Sequence, residues 1–164
     1  MEWKEELQQH TKEAEKVVQG YLPEETGHQK LLIEASNYSV LVGGKRLRPM
    51  IMLESFKAFG GTGNVVEPFM AALEMIHSGS LVHDDLPCMD NDEYRRGNLT
   101  TWKKYGYDMA VLAGDKLFIY AFETAAKAFA LTDRADLVGK AISILANKAG
   151  IYGMIGGQSV DVEY

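Results

Sequence analysis

The segment from residue 81 to residue 97, LVHDDLPCMDNDEYRRG, carries the side chains best suited to chemistry. It places five acids within ten positions and closes with two arginines: Asp84, Asp85, Asp90, Asp92, Glu93, Arg95 and Arg96. Carboxylates repel one another, and each is costly to bury unless something pairs with it. The segment is therefore either a solvated surface loop or a site where the acids hold a cation and the acids and arginines together hold an anion.

Helical spacing indicates how such a site would form. His77 and Asp84 are seven residues apart, which is two helical turns, so the spacing predicts that they share one face of a helix. Pro87 ends that helix, and the loop can then fold Asp90 back toward Asp84. Two carboxylates beside a cavity suit Mg²⁺, which takes one or two carboxylates together with water and substrate phosphate. A guanidinium such as that of Arg95 matches phosphate oxygens in a forked geometry.

A second cluster of charge lies in GGKRLRP, residues 43–49. Lys45, Arg46 and Arg48 are packed beside a predicted helix start, where backbone N–H groups also favour anions. The cluster suits a diphosphate, although short basic patches are common. Its combination with a helical histidine and an acidic cluster followed by RRG is much rarer than either part alone.

The elements that would position these residues are all predicted to be helices, because apolar residues recur at intervals of three and four. We expect one all-α domain of stacked helices over residues 1–164. The first predicted helix ends at the turn 21–27, and the second runs from 31 to about 42, before the Gly43–Gly44 pair. The third starts near Pro49, the fourth covers 66–85 and the fifth covers about 100–131. Two more helices follow the turn 132–136, with Thr132 and Asp133 as an N-cap region for the first of them.

Composition excludes several classes of protein. The chain has 164 residues, 46% of them hydrophobic, and a net charge of -6, which argues against nucleic-acid binding. No stretch of eighteen uncharged apolar residues occurs, so no membrane span is predicted. One cysteine, Cys88, and a charged N-terminus without the apolar core of a signal peptide predict a cytoplasmic protein.

From about residue 30 to its end, the chain resembles the N-terminal half of a bacterial trans-prenyl diphosphate synthase of the farnesyl and geranylgeranyl type. The motifs that carry the resemblance are GGKRLRP (43–49), EMIH (74–77), SLVHDDLPCMDNDEYRRG (80–97), LAGDKL (112–117) and GMIGGQSVDVE (153–163). The resemblance implies the isoprenoid synthase fold, a bundle of antiparallel helices around a central cavity. It favours a binding site over a solvated acidic turn.

The resemblance also implies roles for individual residues. Asp84 and Asp90, with Asp85 beside them, are similar to the ligands of two Mg²⁺ ions, and Arg95 to the arginine that holds an allylic diphosphate. Four further residues resemble the isopentenyl diphosphate site: Lys45, Arg48, His77 and Arg96. Gln158 and Asp161 match a GQxxD stretch that faces the allylic substrate and the metals.

Three departures from the family pattern bear on function. Leu99 and Trp102 stand where the family usually has proline and histidine. Gly79, five residues before Asp84 and next to Ser80, occupies the product-length position, where short-product relatives often carry a large aromatic. We expect glycine to leave room there, which favours a geranylgeranyl over a farnesyl product. The family's second aspartate-rich motif, which holds a third Mg²⁺, is absent from residues 1–164 and is expected beyond Tyr164, as in a truncated chain.

Two functions compete at this point. The first is a Mg²⁺-dependent prenyltransferase that condenses isopentenyl diphosphate with an allylic diphosphate, and the resemblance implies that it is a homodimer. The second is a non-catalytic partner or fragment that binds substrate or another chain without turnover. A terpene cyclase fits less well, because a cyclase does not bind isopentenyl diphosphate and would not need GGKRLRP.

Overall fold

The computed structural model describes residues 3–163, and over this range the protein is all-α except for one short hairpin. The helices are α1 (Trp3–Gly20), α2 (Lys30–Leu41), α3 (Leu47–Ala58), α4 (Glu67–Asp84), α5 (Thr101–Tyr105), α6 (Tyr107–Ala126), α7 (Ala135–Ala149) and α8 (Met154–Glu163). The strands are β1 (Tyr94–Arg95) and β2 (Asn98–Leu99), and a 3₁₀ helix spans Lys127–Ala130. The predicted all-α class is confirmed.

Helix α4 lies at the centre of the packing, and its main partner is α6. Small side chains from both helices meet in the main core, among them Ala71, Ala72, Ala113 and Ala121, with Leu117 filling the space between them. Small residues let two helix backbones approach closely, so the contact is dense and leaves little freedom for α4. The acidic loop therefore starts from a firmly held helix end.

Helix α1 belongs to a second, smaller core. Ala14 of α1 packs with Met50 of α3 and with Val66 and Met70 beside and within α4. These side chains are all buried, Ala14 and Met70 fully. The first helix is therefore packed on the two elements that carry the basic cluster and the acidic loop.

The predicted helix over residues 100–131 is wrong in one respect, because it is interrupted. Gly106 adopts φ 98° between α5 and α6, a left-handed backbone value that L side chains rarely accept. The helix also ends earlier, since residues 127–130 tighten into the 3₁₀ helix. The N-cap interpretation of residues 132–133 is wrong as well: α7 starts after Arg134, whose N–H donates to Thr132 Oγ1 at 3.2 Å.

The short hairpin was not predicted. β1 and β2 pair antiparallel with Tyr94 opposite Leu99, and the two residues at the turn, Arg96 and Gly97, have φ values of 54° and 80°. Positive φ at both central residues is the signature of the two-residue turn that fits twisted strands. The hairpin fixes where Arg95 and Arg96 emerge from the acidic loop.

Among the helices of residues 3–163, none is long and apolar enough to cross a membrane.

Candidate active site

The acidic loop folds back on the end of α4, as the sequence predicts. The N–H of Asp90 donates to the carbonyl of Asp84 at 2.8 Å, and the N–H of Asn91 donates to the carbonyl of Leu86 at 3.1 Å. These two backbone hydrogen bonds close the loop after Pro87. Asp84 and Asp90 are thereby held on the same side of the loop.

The two adjacent aspartates have different partners. Arg95 donates from Nε to both carboxylate oxygens of Asp85, at 2.8 and 3.1 Å, and from Nη2 to Oδ1 at 2.6 Å. Asp85 is 4% exposed, and burial raises its pKa although Arg95 opposes the rise. A buried carboxylate with a forked arginine partner is satisfied. Asp85 therefore positions Arg95 rather than standing open to a ligand.

Asp84 and Asp90 form the part of the loop that fits a cation. Asp84 is half-buried and Asp90 is exposed. Burial, and then the nearby charge of Asp90, raise the pKa of Asp84, as expected for two carboxylates that repel one another. No three His, Cys, Asp or Glu side chains of residues 3–163 converge on one point. A pair of carboxylates without a third protein ligand is the donor set that suits Mg²⁺ bound jointly with phosphate.

A cavity of about 420 Å³ lies beside Asp84, between α4 and α7. His77, Ser80, Leu81 and Asp84 line one wall, which confirms that the seven-residue spacing puts His77 and Asp84 on one face. Leu145 and Lys148 of α7 and Met154 at the start of α8 contribute to the opposite wall. The cavity combines a carboxylate at one point with an apolar wall along α4.

A second cavity, of about 330 Å³, is strongly cationic. Its lining includes Lys45, Arg48, His77 and Arg96, so the structure brings together all four residues that the resemblance assigned to one diphosphate. Arg96 also donates a hydrogen bond from Nη1 to the carbonyl of Gly43. Burial and then the charge of Arg48 lower the pKa of His77. Concentrated positive charge at this position favours a multiply charged anion.

The two cavities are neighbours. Arg48 and His77 line both of them. An anion in the cationic cavity and a ligand beside Asp84 would therefore contact the same two side chains. This shared wall is the geometric feature that connects the basic cluster to the acidic loop.

Both residues that depart from the family pattern lie at contacts that hold the loop in place. Trp102 Nε1 and Thr100 Oγ1 each donate to the carbonyl of Asp92, both at 2.8 Å. The carbonyl of Leu99 accepts a hydrogen bond from the hydroxyl of Tyr38 at 2.7 Å. The indole of Trp102 thus anchors the acidic loop to α5, whereas the contact of Leu99 with α2 uses the backbone carbonyl and does not depend on the side chain.

Gly79 lies in a tightly packed position, and its product-length role together with that of Ser80 stays a prediction. A Cβ at Gly79 would lie 3.2 Å from Leu117 Cβ, 3.3 Å from Gly114 O and 3.4 Å from Phe118 Cε1. Gly79 is the point of close approach between α4 and α6 and does not line the cavity. Ser80 does line it, so of the two product-length residues only Ser80 borders the space beside Asp84.

Gln158 and Asp161 are not brought to the cavity within residues 3–163. Both lie on α8, which has no buried residue; Gln158 is half-buried and Asp161 is exposed. Met154 is the α8 residue that reaches the cavity wall. The roles of Gln158 and Asp161 stay predictions.

Sequence reasoning missed one cationic side chain near the site, Lys148, and did not separate another, Arg46, from its neighbours in the basic cluster. Lys148 lines the cavity beside Asp84, and no local motif marks it, since only the tertiary structure places α7 across the cavity from α4. Arg46 lies inside GGKRLRP but is 2% exposed. It pairs with Glu15 of α1 and Glu74 of α4, so it is not free to bind a ligand as its neighbours are.

Comparison with known proteins identifies the class. The family model described as Polyprenyl synthetase matches residues 29–164. The chain belongs to this family, and its all-α architecture is the isoprenoid synthase fold.

Two of the similar relatives are named as geranylgeranyl pyrophosphate synthases, and one of them is named as a subunit of a heterodimer. The chain is 49% identical over 129 residues to a chloroplastic geranylgeranyl pyrophosphate synthase of Catharanthus roseus, covering 79% of this chain and 36% of the relative. It is 46% identical over 134 residues to the large subunit 1 of a heterodimeric chloroplastic geranylgeranyl pyrophosphate synthase of Arabidopsis thaliana, covering 79% and 35%. The chain thus spans less than half the length of these curated relatives.

A solved structure agrees with the fold. The apo crystal structure of an FPP/GFPP synthase from Zymomonas mobilis is 34% identical, superposes with a TM-score of 0.89, and is matched over 98% of this chain and 57% of that one. The chain therefore resembles enzymes of the prenyltransferase class in sequence and in structure.

Proposed function

We propose that the protein is a Mg²⁺-dependent prenyltransferase that condenses isopentenyl diphosphate with an allylic diphosphate to give a short-chain trans-prenyl diphosphate. The observation that carries the proposal is the shared wall of Arg48 and His77 between a cationic cavity and a cavity bordered by Asp84. Two diphosphate substrates bound side by side require this arrangement, and a single-substrate site does not.

Asp84 and Asp90 would hold the magnesium ions, and their unpaired carboxylates support this assignment. Mg²⁺, when bound, neutralises the charge that develops on a departing diphosphate. The resemblance implies two ions here, with Asp161 near the metals, and a third ion held by the second aspartate-rich motif. Arg95, oriented by Asp85, would add a guanidinium to the same diphosphate.

The reaction then needs no nucleophilic side chain. The C–O bond of the allylic diphosphate breaks, the double bond of isopentenyl diphosphate attacks the allylic carbon, and the proton released in forming the new double bond passes to the departing diphosphate. Lys45, Arg48, His77 and Arg96 would hold the isopentenyl diphosphate so that its double bond faces that carbon. Positioning and charge stabilisation are the protein's contributions.

A product assay tests this function. The 164-residue chain is incubated with Mg²⁺, labelled isopentenyl diphosphate and, separately, dimethylallyl, geranyl and farnesyl diphosphate, and the products are separated by chromatography. We expect label in a longer prenyl diphosphate, with none when EDTA replaces Mg²⁺ or when Asp84 is replaced by alanine. Product formed equally by the Asp84→Ala variant would contradict the role given to the acidic loop.

A second candidate is a substrate-binding partner subunit without turnover of its own. One observation favours it: one relative is named as a subunit of a heterodimer. Binding of both substrates without product would support this candidate.

Assembly and location follow from the same proposal. We expect a homodimer in which α6 contributes the contact, because Leu112 and Ile119 of α6 are 50% and 72% exposed. Light scattering of the purified chain tests it, and a mass of 18.2 kDa would contradict it. The cytoplasmic location stays a prediction from the single cysteine and the charged N-terminus.

A further inference from the structure

Helix α1 lies outside the residues matched by the family model, which begin at residue 29. It is nevertheless connected to the basic cluster by an ion pair. Glu15 of α1 binds the guanidinium of Arg46 through both oxygens: Oε2 accepts from Nε, and Oε1 accepts from Nη2 at 3.1 Å. A segment with no family signature therefore contacts the centre of GGKRLRP.

Arg46 is held from three directions. Besides Glu15, its Nη1 donates to Oε1 of Glu74 at 2.7 Å and its Nη2 donates to the carbonyl of Val40 at 2.5 Å. The Arg46 side chain is 1% exposed and that of Glu74 is 4% exposed. These contacts tie together α1, the end of α2 and the middle of α4. A buried arginine with this many partners is a structural anchor and not a free anion ligand.

The backbone of Arg46 also needs support. Its φ of 49° places a residue other than glycine in the left-handed region, which costs free energy unless the surroundings enforce it. This residue is the N-cap of α3, between Lys45 and Arg48. The left-handed turn thus decides how Lys45 leaves the loop and how Arg48 enters the helix, and both side chains line the cationic cavity.

The carboxylates also compensate the charge of Arg46. Burial alone would raise the pKa of Glu15, but the hydrogen bond and charge of Arg46 bring it below its usual range. With Arg46 neutralised by Glu15 and Glu74, the positive charge facing the cavity comes from Lys45, Arg48 and Arg96.

We propose that Glu15 of α1 is a positioning residue for diphosphate binding: together with Glu74 it fixes Arg46, and Arg46 fixes the placement of Lys45 and Arg48 at the cationic cavity. The inference rests on the proposed function for the identity of the anion. We call Glu15, Arg46 and Glu74 the clamp. Whether the clamp holds the loop of residues 43–48 in place can be tested without any ligand.

The test compares Glu15→Gln with Glu13→Gln. Both substitutions remove one carboxylate from α1 and keep the chain length and helix propensity nearly the same. Glu13 is exposed and only accepts a hydrogen bond from Gln9 of its own helix, so it is a matched control. Glu15 is 26% exposed, and far-UV circular dichroism checks that the variant is folded.

Two readouts separate the clamp from the function. Hydrogen exchange of the amides of residues 43–48 should accelerate by about ten-fold in Glu15→Gln and remain unchanged in Glu13→Gln. The dissociation constant for inorganic diphosphate, measured by calorimetry, should rise by about ten-fold in Glu15→Gln alone, as expected for loss of a charge-assisted hydrogen bond. Arg46→Lys should not preserve affinity, because an ammonium cannot replace the planar fork.

Unchanged exchange at residues 43–48 in Glu15→Gln would overturn the clamp. Faster exchange with unchanged diphosphate affinity would overturn the positioning role. Failure of the unsubstituted chain to bind diphosphate would count against the proposed function instead, and the exchange data would still decide the clamp.

Discussion

Arg95 binds Asp85 through Nε and Nη2, with Nη2 2.6 Å from Oδ1, and this pair distinguishes two aspartates that are adjacent in sequence. Asp85 is buried and satisfied, whereas Asp84 borders the cavity close to the charge of Asp90. The sequence places Asp85 beside the expected ligands Asp84 and Asp90 but does not show which group it pairs with. Their different surroundings assign one to positioning and the other to ligand binding.

Substitutions at these two aspartates should differ in their effect on stability. Asp85→Asn weakens the ion pair and leaves Arg95 poorly compensated, so we expect unfolding to become easier by about 1–3 kcal/mol. Asp84→Asn removes a carboxylate that burial and Asp90 disfavour, so its stability should stay within about 0.5 kcal/mol of the unsubstituted chain or rise. Urea denaturation measures both. A larger loss in Asp84→Asn than in Asp85→Asn would contradict the assignment.

Ser80 and Gly79 should differ in how they affect ligand size. Ser80→Phe places a ring in the cavity beside Asp84, so affinity for farnesyl diphosphate should fall more than affinity for dimethylallyl diphosphate. Gly79→Ala instead adds a Cβ 3.2 Å from Leu117 Cβ, so it should cost about 1–3 kcal/mol of stability by overpacking. Calorimetry with the two diphosphates and thermal denaturation distinguish the effects; a ligand-size effect confined to Gly79→Ala would refute this reading.

Lys45→Ala should weaken isopentenyl diphosphate more than an allylic diphosphate. Lys45 lines the cationic cavity, and Asp84 lines the other one. Removing one exposed phosphate contact should raise the dissociation constant for isopentenyl diphosphate by about ten-fold. Lys57→Ala is the control, since Lys57 pairs with Glu54 on the exposed face of α3. Equal weakening of both ligands would argue against separate sites.

Lys116 should make stability depend on alkaline pH. Its Nζ is buried without a hydrogen-bond partner among the described residues, 4.5 Å from the centre of the Tyr120 ring. Burial lowers its pKa from 10.5 to about 8. The unfolded chain therefore binds this proton more tightly than the folded chain does. Below about pH 8 this difference lowers the free energy of unfolding, and the loss of stability disappears as the pH rises from about 8 to 10.5.

Lys116→Met tests that linkage. The variant should be more stable than the unsubstituted chain by about 1–2 kcal/mol at neutral pH, and its advantage should shrink as the pH approaches 10.5. The difference between the two chains, measured by urea denaturation at each pH, cancels the titration of all other groups. An advantage that is constant with pH would show that Lys116 is not desolvated.

Local sequence predicted most helix ends because the responsible residues act locally. The Gly43–Gly44 pair and Pro87 end helices through local backbone effects that do not depend on the tertiary structure. Gly106 was missed because one glycine inside an apolar repeat does not by itself end a helix, and here it also takes a left-handed φ. The two-residue hairpin turn was missed because Arg96 is not a typical residue for positive φ.

Two features of the site were not predicted, for different physical reasons. Gly79 is five residues before Asp84, which turns it by about 140° around the helix, whereas Ser80 is within about 40°; helical geometry could have predicted that Ser80, and not Gly79, borders the cavity. Arg46 could not have been separated from Lys45 and Arg48 in this way. Its partner Glu15 is 31 residues away, and only tertiary packing brings them together.

The most direct test of the central claim is the magnesium dependence of allylic diphosphate binding. Farnesyl diphosphate is titrated calorimetrically into the unsubstituted chain and into Asp84→Asn, each with Mg²⁺ and with EDTA. We predict that Mg²⁺ tightens binding to the unsubstituted chain by about ten-fold or more, and that this gain is lost in Asp84→Asn. The same affinity with Mg²⁺ and with EDTA, or a gain that survives in Asp84→Asn, would contradict the claim that the acidic loop binds substrate through a metal.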